Sequence, residues 1–189
     1  MALTRLGPNQ SINLATNTTG NLDLTSQVTG TLPAGNGGTG STTFSPGKVL
    51  QVVSSTFSTE TSSSSTSYAD TGMSVSITPS STSSKILVLA SHSGLLKESS
   101  NNAGAIQLGK TVGGGSYSAI REFENDYGRD GGTGLNAVGS SSTNCLDSPN
   151  TTSAVVYKTR FKCSVTAASL VRIQQNNCVA SITVMEIGA

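Results

Sequence analysis

The chain has 189 residues, a formal net charge of +1 and only 11% charged residues, with no tryptophan and 34% hydrophobic residues. The eleven Lys and Arg residues are scattered rather than clustered, which argues against a nucleic-acid binder, because neutralising phosphates takes a basic stripe. No apolar run is long enough for a membrane span, and Met1 to Gln10 lacks the apolar core of a signal peptide, so assembly in the cytoplasm without membrane insertion is expected.

The first forty-odd residues have their own texture. "TGNLDLTSQV" at Thr19 to Val28 is followed by "TGTLPAGNGG" at Thr29 to Gly38, so a Thr-Gly-x-Leu unit recurs ten residues later. Two such units cannot stack into a self-sufficient solenoid, which needs several to bury a core. The segment 1–46 reads as extended chain, either a Gly/Thr linker or a stalk held by something outside itself, and 47–189 reads as one domain.

From Gly47 onward short alternating runs are bounded by Ser, Gly and Asn clusters, the signature of β-strands. Strands are expected over Lys48 to Phe57, Ser67 to Pro79, Lys85 to Ser91, Ala105 to Thr111, Tyr117 to Phe123, Ala154 to Cys163, Leu170 to Gln175 and Ala180 to Gly188. In "MSVSITP" the apolar Met73, Val75 and Ile77 share one face, as in a half-buried antiparallel strand. "KILVLAS" is apolar on both faces, which predicts a central strand covered twice. About eight strands with polar turns make an all-β antiparallel β-sandwich or jelly roll. Glu124 to Asn150, rich in Gly and Ser, reads as a long loop.

Motifs that could carry chemistry mostly fail on context. "GAIQLGKT", Gly104 to Thr111, satisfies the phosphate-loop pattern, but no helix can start at the following "VGGGSY", and Ile106 and Leu108 alternate like inward residues of a strand. "DYGRDGG" has Gly128 where a calcium loop needs an oxygen donor. His92 is the one histidine, and Cys145, Cys163 and Cys178 show no zinc spacing, so no metal or other cofactor is expected and the thiols read as reduced. Glu122 and Glu124 form a salt-bridged surface with nearby arginines more readily than a glycosidase pair, and no enzyme activity is expected.

"LTSQVTGTLPAGNGGTGSTT" resembles the L-P-x-x-N-G-G-T-G segment of tailed-phage tail fibres and related virion appendage proteins. The later "GKVLQVVSSTF" through "KILVLAS" and the closing "ASITVMEIGA" resemble a β-rich head module of such fibres. The resemblance implies a short homotrimeric fibre on the virion, attached to tail or capsid proteins by its N-terminal segment and contacting a host surface glycan or protein with its head. A capsid decoration or head-fibre protein and an accessory tail or baseplate subunit are the alternatives. In a trimer, Leu22, Leu24, Val28 and Leu32 would meet their symmetry mates near the axis. Adhesive sites sit on loops over a rigid sheet, so the polar-aromatic cluster Asp126, Tyr127, Arg129 and Asp130 is the candidate receptor loop, the other reading being that Tyr127 packs against the sheet.

Overall fold

The computed structural model describes residues 49–98, 101–129, 134–165 and 170–188. The chain divides between Pro46 and Gly47, and all described residues belong to the second unit. The stalk residues Leu22, Leu24, Val28 and Leu32 lie outside the described residues, as does Asp130.

Among the described residues ten strands follow one another: β1 (Val49–Phe57), β2 (Thr61–Ser63), β3 (Ala69–Ile77), β4 (Lys85–Glu98), β5 (Gly104–Val112), β6 (Ser118–Tyr127), β7 (Leu135–Asp147), β8 (Val155–Cys163), β9 (Val171–Ile173) and β10 (Ala180–Ile187). All pair antiparallel, in two sheets. The first sheet is organised on the 14-residue β4. One edge of β4 pairs with β7 along its length; the other is shared, by β10 over Lys85 to Ser91 and by β9 at Leu96 and Lys97. β1 lies outside β10, and β2 outside β9. The second sheet runs β3, β8, β5, β6. The protein is an all-β antiparallel sandwich, as the alternating runs predict.

Period-two alternation explains which face each strand buries. Met73, Val75 and Ile77 of β3, Ile86 and Val88 of β4, and Ile182 and Val184 of β10 meet between the sheets, each at most 5% exposed. At the far end Leu95, Ile106, Phe161, Val171 and Ile173 form a second apolar cluster. At about 1.5–3 kcal/mol per fully buried large aliphatic or Phe side chain, these two clusters supply the main driving force for closing the sandwich.

A polar seam lies in the interior as well. His92 Nε2 meets Thr159 Oγ1 at 2.8 Å, Thr159 Oγ1 meets Thr71 Oγ1 at 2.6 Å, and the Gln174 amide reaches His92 Nδ1 at 2.7 Å. With the amide nitrogen donating to Nδ1, the imidazole is neutral and carries its proton on Nε2, which donates to Thr159. All four residues are fully buried, and burial pushes the His92 pKa down to about 4. The phenyl ring of Phe123 stacks on the imidazole, centres 6.4 Å apart.

Two sequence expectations are corrected, and one strand was not expected. Glu124 to Asn150 is not one long loop: β6 continues to Tyr127, and Leu135 to Asp147 is the strand β7. The pattern hid β7 because its inward residues Ser141, Thr143, Cys145 and Asp147 are small or polar, paired with Ile86, Val88, Ala90 and His92 on β4. β2 is too short to show a period. β4 is central as expected, but among the described residues only its inner face is fully covered, and Leu89 on the other face is 38% exposed. None of the three cysteines forms a disulfide.

Candidate functional site

The proposed receptor loop divides once its geometry is known. Tyr127 ends β6 with its ring turned inward over Gly104, where a Cβ would collide with it, and it is 3% exposed. Its hydroxyl lies 3.4 Å from the Arg172 carbonyl. The ring is core, so no ligand can stack on it, and the packing role replaces the receptor role. Asp126, at φ 73, organises the turn that follows: its carboxylate accepts from Arg129 Nη1 at 2.8 Å and from the Ser164 hydroxyl at 2.6 Å. Those two hydrogen bonds hold its pKa below the usual carboxylate value. Arg129 remains exposed, its charge answered locally.

The phosphate-loop look-alike is strand β5, with Ile106 and Leu108 fully buried as the alternation predicts. Its two glycines are aromatic seats: Gly104 under Tyr127 on the inner face, and Gly109 under Tyr117 on the outer face. Lys110 places its ammonium 2.6 and 2.8 Å from the two carboxylate oxygens of Asp147, which also accepts from the Tyr157 hydroxyl at 2.7 Å. The lysine that a phosphate would need is therefore engaged between the sheets.

The outer face of the second sheet collects the chemistry instead. The alternation of "KTRFKC" in β8 turns Lys158, Arg160 and Lys162 outward while Thr159, Phe161 and Cys163 turn in. Asp70 on the neighbouring β3 accepts from Lys158 Nζ at 2.9 Å and from Arg160 Nε at 2.8 Å. Burial alone would raise the Asp70 pKa, but the two cations outweigh it and hold it below the usual range. The Arg160 guanidinium lies 3.9 Å from the centre of the Tyr117 ring, and Lys162 Nζ lies 4.6 Å from that of Tyr68, whose hydroxyl donates to Glu122. Two cation-π stacks thus stand on one rigid sheet. Desolvation pushes Tyr117 up to about 12, and desolvation together with the Glu122 carboxylate raises Tyr68, so both are neutral phenols at pH 7.

The sheet is also indented here. β3 and β8 lose register between Asp70 and Ser74, where Gly72 adopts φ 88, and a bulge of this kind re-aims side chains at a sheet edge. A cavity of about 190 Å³ opens beside it, lined by Asp70, Ser74, Val156 and Lys158 among others. Three cations against two carboxylates leave this face with a positive surplus, and Lys162 has no carboxylate partner among the described residues. Such an arrangement can hold an acidic group on Lys162, beside the two tyrosine rings and the Asp70-bonded Lys158 and Arg160. No local pattern in the sequence marks it, because its residues come from three separated stretches; the one local signal is the i, i+2, i+4 row of cations in β8. No group of His, Cys, Asp and Glu suited to a metal ion occurs among the described residues.

No protein-family model matches the sequence, and no curated protein sequence is detectably similar to it. The fold is similar to part of the VP2 subviral particle protein of infectious bursal disease virus, with 13% identity over 74% of this chain and a TM-score of 0.36. A structure of the Gx strain of the same virus matches with 14% identity over 72% of this chain and a TM-score of 0.29. The chain spans 37% of the length of each of these two structures. Among the described residues no helix is long and apolar enough to cross a membrane.

Proposed function

We propose that this chain is a structural, non-catalytic component of a tailed-phage particle, a short homotrimeric tail fibre whose segment 1–46 attaches to the virion and whose sandwich contacts an acidic glycan on the host surface. The observation that carries the adhesive reading is the outer face of the second sheet, with its Tyr68 and Tyr117 rings, its cation row and the indentation beside Asp70. The virion reading rests on the resemblance of Leu24 to Thr43 to the fibre segment. Ligands on such a face are gripped by an aromatic plane and by charge-assisted hydrogen bonds, so binding weakens as salt screens the cations.

The test is adsorption of the purified protein to host cells and to their acidic polysaccharide, comparing wild type with a Tyr117→Ala, Lys162→Ala double variant. Loss of adsorption with unchanged thermal melting supports the site; undiminished adsorption by the double variant removes it. Antibody labelling of virions decides the mounting point: label at the tail supports the fibre, and label on capsid faces replaces it with a decoration protein. New reducing ends released from the polysaccharide would overturn the non-catalytic reading.

A further inference from the structure

The outer face of the first sheet differs from that of the second in kind. Where β1, β10, β4 and β7 lie side by side, Val52, Met185, Leu87 and Leu146 stand opposite one another in register and form an apolar row across all four strands. Val52 and Leu146 at its two ends are each 55% exposed. The rows beyond it are hydroxyls and amides: Ser54, Thr183 and Asn144 flank Leu89, then Thr56, Ser181, Ser91 and Ser142 follow, around a groove of about 370 Å³. The alternation that turns these side chains out turns Glu186 and Asp147 in, and leaves Lys85 at one corner as the charge the four strands themselves carry on this block among the described residues, with the Arg121 guanidinium of β6 bonded to the Asn144 carbonyl at the β7 edge.

A solvated sheet face ordinarily carries charges, and Lys in particular, which keep it from sticking to other sheets. This one lacks them over four strands, while the opposite side of the same sandwich has a dense set of ions. The sequence of β4 is written for a strand covered on both sides, yet the described residues cover one. An uncharged face also suits identical copies, since copies converging on a symmetry axis present the same charges to each other. The place where the rest of the chain arrives points the same way: 48 residues precede Val49, which pairs with Ile187 beside the apolar row.

We infer that the β1–β10–β4–β7 face is covered by further copies of this chain, packed around the axis of the trimer, with the Tyr68–Tyr117 face left outward. This rests on the trimeric reading of the preceding section. It is tested on the full chain by sedimentation equilibrium and thermal melting of Val52→Glu with Leu146→Glu, both exposed positions that the single sandwich tolerates, and of Ser142→Arg in the hydroxyl half. Val165→Glu, at an exposed apolar residue after β8, serves as the comparison. The inference expects a wild-type trimer, dissociation to folded monomers for the first two variants with at least a tenfold weaker association, and a trimer for Val165→Glu. Wild-type protein that sediments as a monomer overturns the trimeric reading itself. A trimer that survives Val52→Glu with Leu146→Glu and Ser142→Arg leaves that reading standing and overturns this face, assigning assembly to 1–48; survival with a lowered melting temperature would show the same chain's N-terminal segment covering the row.

Discussion

His92 is the one histidine of the chain and sits fully buried between Thr159 and Gln174, so its titration can be followed without ambiguity. Burial lowers its pKa from 6.5 in the unfolded chain to about 4 in the folded one. Between those values the unfolded chain holds a proton that the folded chain refuses, and unfolding takes that proton up. Stability is therefore whole above pH 6.5 and falls as the pH drops toward 4. At ~1.36 kcal/mol per pKa unit the full loss is about 3 kcal/mol, of which about 2 kcal/mol is gone by pH 5.

The measurement is urea unfolding at fixed protein concentration at pH 7.5, 6 and 5, for wild type and for His92→Gln, whose side chain does not titrate. The two pH dependences should diverge by about 2 kcal/mol at pH 5. Comparing the two proteins cancels the carboxylates, which titrate lower. In parallel, the single imidazole resonance of the folded protein should stay at its neutral position down to about pH 5. A resonance that titrates near 6.5, together with parallel stability curves for the two proteins, would refute a buried neutral histidine.

Tyr127→Ala should lower stability by about 3–5 kcal/mol, the range for deleting a buried aromatic ring, and a melting temperature equal to wild type would return the tyrosine to the surface. Gly109→Ala puts a methyl group against both the Tyr117 ring and the Ser118 backbone carbonyl; it should cost about 1–3 kcal/mol by chemical denaturation and abolish glycan adsorption by protein that is still folded, and retained adsorption would show that Tyr117 is not part of the site. Asp147→Leu leaves the Lys110 ammonium, 16% exposed, without its carboxylate and should cost about 2 kcal/mol, most of it regained when Lys110→Met is added; equal stabilities of the single and double variants would mean the pair is not coupled.

The strands legible in the sequence are those whose inward positions are apolar. β3 and β8 could be read because Met73, Val75, Ile77 and then Val155, Tyr157 and Phe161 alternate with polar residues. β7 could not, because its cross-strand partners on β4 supply the apolar bulk and let its own inward residues be Ser, Thr and Cys. A tyrosine beside charges in sequence reads as a receptor cluster, but Tyr127 is the last inward residue of β6. The face that carries the stacks is assembled by pairing: Asp70 reaches Arg160, and Tyr117 reaches the same guanidinium, across sequence separations that no local pattern records.

The position of β10 has a consequence for how the protein is made. It lies between β1 and β4, so among the described residues β1 has no ladder partner in its sheet until Ala180 to Ile187 is available. On a ribosome, β3, β5, β6 and β8 can begin to pair while Val53 and Phe57 of β1 still wait with their apolar sides in water. Among the described strands, a nascent chain stalled before Ala180 thus displays an unpaired edge on both β1 and β4, the form most open to proteases and to pairing with another nascent chain, and the arrival of β10 closes both edges in one step.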